Sequence, residues 1–519
     1  MLASDDSLLI RGARVLCMDD ADTEWDCADV AIEGGRIAAL GPDAGLQWQR
    51  DAGRAPARTI EAEGQLAMPG LINAHFHSPG NLMKGCLPGH PLEIFMLHEV
   101  PPLASHVGDA VGDTAGGAAR LAYVCTLVGA LEMLRRGVTA VHDDAYHVPV
   151  ASAPSIDAIL RAYEDAGIRA TVAIDQPNVV EHAKYPFLAD LLPAGEKAAM
   201  DAAPRQSGPE LLALYRHLIE RWHGAAEGRL AAAVSCSAPQ RVTEDYFRGL
   251  SALSREHDLP FNIHILETRL QRVLGQEKYG HSLVRHVHEL GLLDERMMVI
   301  HAIWIDADDI RLLAESGCTV AHNPVCNLRL GSGVMPWRAL RDAGVPLCLG
   351  TDEMNTDDSI NPWFVAKTAA LLHTLSTPDD SQWPQPEEML WALTRGGARA
   401  LRREGQLGQL RVGAQADLIL LDLDTTAFTP LNDLRRQLVH CEDGSSVRTT
   451  IVAGRVVYEN GRITTVDEPA LRAEMRRLMA DFRTQRTEAQ TQAARLEPHY
   501  RAMLAEAGRR DVGMKRALY

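Results

Sequence analysis

The feature that most limits how this chain can fold is a series of eight short apolar runs between residues 67 and 405, each followed by a helical pattern. The runs fall at 66–77, 136–142, 167–174, 230–235, 260–264, 297–301, 317–322 and 345–352. They are apolar on both faces, as parallel strands covered by helices must be. Eight such units predict an α/β chain with a closed (β/α)8 barrel of the TIM type, whose chemistry gathers at the carboxyl ends of its strands.

The flanks read differently. Short strands separated by Gly and Asp turns occupy residues 8–41, and the same grammar returns at 416–461. Neither set has enough strands to bury both its faces, so the reading is one composite β-sandwich domain. Its first part is residues 1–66 and its second 406–465, around a barrel at 67–405. Residues 466–519 read as a helical tail with Leu471, Met475, Leu478, Met479 and Phe482 at helical spacing, broken at Pro498. The tail is expected to pack on the barrel or on a neighbouring subunit. The Pro- and Ala-rich stretch 184–208 reads as a loop that reaches over the site.

Composition narrows the partners. A net charge of −17 disfavours nucleic acid and anionic membranes. No apolar run approaches the ~18 residues of a membrane span. The nine cysteines are scattered singly without a CxxC pair, and the acidic N-terminus lacks a signal-peptide pattern. A cytoplasmic homo-oligomer acting on a small molecule is the expectation.

Strand ends carry the chemistry. His75 and His77, one residue apart, face the same side of a strand. Asp143 and Asp175 follow the second and third runs, while His264, His301 and Asp352 end the fifth, sixth and eighth. Three histidines and a carboxylate form a set suited to Zn²⁺, with Fe²⁺ as the alternative. Glu267, three residues past His264, is placed to shuttle protons without binding the metal. His322, His142 and His147 read as supporting or wall residues, Cys326 and Cys348 as small buried hydrophobes, and Trp363 as core.

Several longer motifs add a resemblance: Met68-Pro69-Gly70-Leu71-Ile72-Asn73-Ala74-His75-Phe76-His77, His264-Ile265-Leu266-Glu267-Thr268, His301 with Trp304, a stretch from Val320 to Gly333, Gly350-Thr351-Asp352, and Gly405 to Leu410 running on to Asp417. On these the chain resembles the amidohydrolase superfamily over residues 7–465, in the branch of triazine hydrolases, guanine deaminase and S-adenosylhomocysteine deaminase. The resemblance implies metal ligation through His75, His77, His264 and Asp352, with His301 orienting the water and in some members reaching the metal. It implies Glu267, His301 and Asp352 as catalytic residues. Dinuclear relatives use a lysine after the fourth strand; Ser235-Cys236-Ser237-Ala238-Pro239-Gln240 has none, so one metal per chain is expected.

The chain departs from the branch where substrate is held. Ser237 stands where the deaminases usually carry histidine, Glu353-Met354-Asn355 follows the metal aspartate, and the 81–91 loop is unusual. The expected substrate contacts are Lys84, His90, Gln176, Gln240, Trp304, Glu353 and Asn355. Lys84 is expected to face an anionic or carbonyl-rich end of the substrate. The expected reaction is hydrolytic displacement of an exocyclic amine from a small nitrogen heterocycle. Halide, alkylamine or sulfide departure, cyclic amide opening, and a silent binding barrel remain the alternatives.

Overall fold

The computed structural model describes residues 7–113, 117–480 and 482–517. The eight apolar runs become the strands of a parallel barrel. Leu71–Phe76, Val138–Tyr146, Arg169–Asp175 and Leu230–Ala232 form one run of ladders. Val234–Ser235, Phe261–Ile265, Met297–His301, Thr319–His322 and Leu347–Leu349 form the other. Ala233 joins them, its N–H donating to Val172 across the break. The ring closes between its last and first strands through the Asp352 N–H on the His75 carbonyl at 3.0 Å. Asn73 reinforces this seam, donating to the Thr351 hydroxyl and accepting from the Thr351 N–H.

Local sequence accounts for the units. The helix Ala153–Ala166 starts at a Ser152/Ser155 capping box and stops at Gly167, whose φ of 82° suits a left-handed cap before the next strand. Its Ile156, Ile159, Leu160 and Tyr163 form the buried stripe. The second strand runs on to Tyr146, so Asp143 lies within it rather than after it. Alternation then turns Asp143 outward to Tyr163 and the Ser78 N–H, and Asp144 inward to Ser235.

Strands from both ends of the chain join in one continuous nine-stranded sheet. Leu418–Asp422 pairs antiparallel with Gln65–Pro69, which pairs with Leu8–Leu16. Leu418 and Leu420 pack with Val30, Ile32 and Ile37, while Ile419 and Leu421 join the barrel core, as period-two alternation requires. The far edge folds back, with hydrogen bonds between residues 35–37 and 413–416. Pro69 ends the sheet strand and Leu71 opens the barrel. Gly70 between them has no room for a side chain, because a Cβ would lie 2.2 Å from Thr139. Arg169 and Asp417 tie the barrel to the sheet in a buried bidentate pair at 2.9 and 3.0 Å.

Two readings of helices change. The 184–208 stretch is not simply a loop; it carries Leu188–Leu191 and Ala194–Ala202. In the tail, Glu468–Leu478 is followed by Phe482–Gly508, which continues through Pro498. Proline removes one helical hydrogen bond, but buried Ala493, Tyr500 and Met503 hold the helix against the body on either side. The helix Gly117–Arg135 is long and apolar enough by composition to cross a membrane, yet 56% of that window is buried inside the molecule. It is a core helix, packed against the body of the molecule.

Candidate active site

Four strand ends deliver His75 and His77, His264, His301 and Asp352 to one point on the barrel axis, all nearly or fully buried. Bringing them together bends the backbone. Ser237, Leu266, His301, Ala302 and Asp352 all take positive φ, between 47° and 73°, at the ends of their strands. Such conformations are disfavoured for residues with a Cβ and gather where a site imposes them. Gly350 lets the eighth strand end approach the first: a Cβ there would lie 2.8 Å from the His75 nitrogen and 2.5 Å from Asn323 Oδ1.

The hydrogen bonds behind the imidazoles fix what they present in front. His77 Nδ1 donates to the Asp144 carbonyl and His264 Nδ1 to the Ser237 carbonyl at 2.8 Å, so both Nε2 lone pairs face inward. His77 Nε2 then lies 3.6 Å from Asp352 Oδ1, and His75 Nε2 lies 3.5 Å from the same oxygen. His264 Nε2 is 3.3 Å from His75 Nε2, while His75 Nδ1 has no partner. The inward lone pairs of His77 and His264 thus face Asp352 and His75, and a single proton on His75 Nε2 cannot satisfy all of them. The edge of a tetrahedron with metal–ligand bonds of about 2.1 Å is about 3.4 Å, so these separations fit a divalent metal ion at their centre. Burial holds the His75 and His264 imidazoles below their usual range, keeping them neutral as ligands. Burial alone would raise Asp352, but His75, His301 and His77 hold it well below the usual carboxylate range.

His301 has the opposite polarity. Asn327 donates to its Nδ1 at 2.9 Å, which leaves the ring proton on Nε2. That nitrogen faces Glu267 Oε2 at 3.5 Å and Asp352 Oδ2 at 3.7 Å. Glu267 is 3% exposed and accepts from the Ser332 hydroxyl. Burial, then Asp352 and Glu93, push its carboxyl well above the usual range.

The centre forms the floor of a cavity of about 440 Å³. Of the expected substrate contacts, Gln176 and Glu353 line it, and Gln176 Oε1 is unpartnered. The others do not. Lys84 lies in a separate depression with its Nζ 2.9 Å from Glu132, because its loop folds back on the helix Gly117–Arg135. His90 stacks on His98, Gln240 turns behind the wall, and Trp304 is buried with its indole N–H on the Ser332 carbonyl. Asn355 lies one layer back and donates to Glu99. Glu353 shares a hydrogen bond with Glu99, and burial followed by the Glu99 charge raises its carboxyl well above the usual range.

Residues that the sequence did not point to complete the walls. Glu93 and Glu99 come from the helix Leu92–Asp113, Arg241 from the turn Pro239–Arg241, and Leu496 and Tyr500 from the C-terminal helix. Lys184, Met200 and Arg205 come from the 184–208 insertion, which does reach the site. Arg241 had a signal, since it directly follows Gln240 in the departing fourth-strand motif. Tyr500, more than a hundred residues past the last barrel strand, had none.

A model of the amidohydrolase family matches residues 66–457. The chain belongs to the amidohydrolase family. As a member it is a hydrolase acting on carbon–nitrogen bonds. This amidohydrolase is 32% identical over 469 residues to the 5-methylthioadenosine/S-adenosylhomocysteine deaminase of Nitratidesulfovibrio vulgaris, covering 90% of this chain and 96% of that one. Among solved structures it is similar to the triazine hydrolase from Arthobacter aurescens, with a TM-score of 0.80 and 25% identity over 91% of this chain and 99% of that one. It is also similar to an adenosine deaminase from Xanthomonas campestris with bound zinc, with a TM-score of 0.76 and 27% identity over 92% and 98% of the two chains.

Proposed function

We propose that this amidohydrolase is a mononuclear zinc-dependent deaminase that replaces the exocyclic amine of an adenosine-like heterocycle by hydroxyl. The observation that carries this reading is the opposed polarity at one point: inward lone pairs from His77 and His264 beside Asp352, and an inward N–H from His301 beside Glu267. His75, His77, His264 and Asp352 would hold the metal. When bound, it supplies the positive charge that makes water nucleophilic at neutral pH.

The chain's own groups then move the protons. Asp352, kept ionised, accepts a proton from the attacking water. Glu267, kept neutral, protonates the ring nitrogen beside the attacked carbon and so draws electrons away from it. The His301 Nε2–H donates to the attacking oxygen and holds it over the ring carbon as that carbon turns tetrahedral. Glu267 accepts the hydroxyl proton as that centre collapses, while the proton held by Asp352 passes to the amine, which leaves as ammonia. The cavity is of the size of small-molecule sites, with room for a fused ring and a substituent.

The test is ammonia release from adenosine, 5'-deoxyadenosine, 5'-methylthioadenosine, S-adenosylhomocysteine and aminotriazines, followed beside the absorbance change of the purine. Turnover of an adenosine derivative supports the reading, and no ammonia from any of them overturns it. A second reading, chloride displacement from a chlorotriazine, is favoured by the similarity to the solved structure of an atrazine chlorohydrolase. Chloride release without ammonia release would select it. All nine cysteines are unpaired, which supports a reducing compartment such as the cytoplasm. Phe364, Leu371 and Leu375, exposed at 47, 52 and 82%, support self-association.

A further inference from the structure

We propose that the C-terminal helix and the turn after the fourth barrel strand build a second recognition site in the cavity, where Arg241 and Tyr500 hold an anionic group carried by the substrate. This deepens the deaminase reading and rests on it for the orientation of the substrate, whose reacting ring lies over the metal ligands.

Arg241 is 9% exposed and lines the cavity. Its guanidinium donates to the Ser237 hydroxyl at 3.2 Å and contacts Met96 Sδ at 3.2 Å, both neutral. Among the described residues no carboxylate lies within ion-pair distance of it. Asp175 lies within electrostatic reach of Arg241, its Oδ1 without a hydrogen-bond partner among the described residues, while the other nearby carboxyls are engaged elsewhere. Glu181 is paired with Lys184 at 2.6 Å, Glu93 accepts from Thr268, and Glu267 accepts from Ser332. Asp175, Glu181 and Glu267 favour the cation from beyond ion-pair distance and leave its fork of donors, which matches an oxyanion, without a charged partner.

A serine at 237 makes this arrangement possible. The guanidinium occupies space beside a small hydroxyl that a histidine ring at that position would fill.

Tyr500 supplies the second donor. It is 2% exposed, lines the same cavity, and its hydroxyl has no hydrogen-bond partner among the described residues. Its ring packs edge-on against Tyr185 at 5.8 Å, and Tyr185 in turn lies within electrostatic reach of Arg241, so Tyr185 links the two cavity-lining residues from behind the wall. Lys184 and Arg205 line this cavity as well. The tail helix is therefore part of the substrate wall, although the family match ends at residue 457.

The experiment compares kcat/KM for two acidic probes, adenosine 5'-carboxylic acid and S-adenosylhomocysteine, with two lacking a carboxylate, 5'-deoxyadenosine and 5'-methylthioadenosine. It uses holoenzyme of the wild type, Arg241→Met, Arg241→Lys and Tyr500→Phe. The proposal expects the acidic-to-neutral ratio to fall at least tenfold in Arg241→Met and severalfold in Tyr500→Phe, through KM, with partial retention in Arg241→Lys. A ratio unchanged in Arg241→Met, whether all rates fall together or none does, assigns Arg241 to structure and overturns it. If the wild type releases ammonia from no probe, the deaminase reading fails separately. Thermal shift with succinate then decides the subsite. A shift in the wild type that Arg241→Met loses supports it, and an equal shift or none in both refutes it.

Discussion

Glu267→Gln separates proton transfer from everything else the site does. The carboxyl is 3% exposed, accepts from Ser332 at 3.3 Å, and lies 3.5 Å from His301 Nε2. Burial first, and then Asp352 and Glu93, push its pKa upward, which favours the protonated acid. Glutamine has the same shape and can still accept from Ser332, so the cost to stability stays within the net worth of one hydrogen bond, about 0.5–1.5 kcal/mol. No proposed metal ligand is touched, so metal content is unchanged. The amide cannot deliver a proton to a ring nitrogen. Loss of a positioned general acid is worth about 10²–10⁴ in rate, or about 3–5 kcal/mol of barrier. Steady-state kinetics on the substrate found in the ammonia screen, with metal analysis and a melting curve on the same sample, read all three quantities. A kcat within threefold of wild type, with metal and fold intact, would refute the assignment of the proton shuttle.

Arg169→Met should cost about 3–5 kcal/mol in chemical denaturation, because it leaves Asp417 buried without its cation; Arg169→Met with Asp417→Leu should recover part of that loss. His373 is held to a pKa of about 4, by burial and then by Arg338, below the ~6.5 of an unfolded histidine. The unfolded chain therefore binds the extra proton between about pH 6.5 and 4, and stability falls as pH drops through that window. Against His373→Gln, the wild type should lose about 2 kcal/mol more between pH 7 and pH 5, read from urea midpoints at the two pH values. Lys84→Met should leave KM unchanged, since Lys84 pairs with Glu132 outside the cavity; a tenfold rise would return it to the substrate wall.

The barrel was legible because parallel strands covered on both faces leave unbroken apolar runs, and because Gly350-Thr351-Asp352 and the His75/His77 pair mark two adjoining strand ends. The composite sheet was legible from too few strands at each end. What failed was tertiary. The sequence shows that Lys84 follows the first strand but not that its loop turns back onto Glu132. Trp304 and Gln240 sit at the right strand ends, yet their side chains point behind the wall. Asp143 and Asp144 are neighbours whose roles differ only by alternation in a strand that runs four residues further than its apolar pattern. The wall from Glu93, Glu99 and Tyr500 is made by helices crossing the barrel mouth, and no local pattern encodes what a helix lies across. Pro498 marked a break that buried Ala493, Tyr500 and Met503 override.

The most direct test of the central claim is a metal titration of chelator-treated protein, with bound metal and activity measured on the same samples. One nitrogen-rich centre predicts inactive metal-free protein whose activity rises linearly with added Zn²⁺ and stops at one equivalent, while His264→Ala binds none at that concentration. Full activity without metal, or a rise that continues to two equivalents per chain, would contradict it.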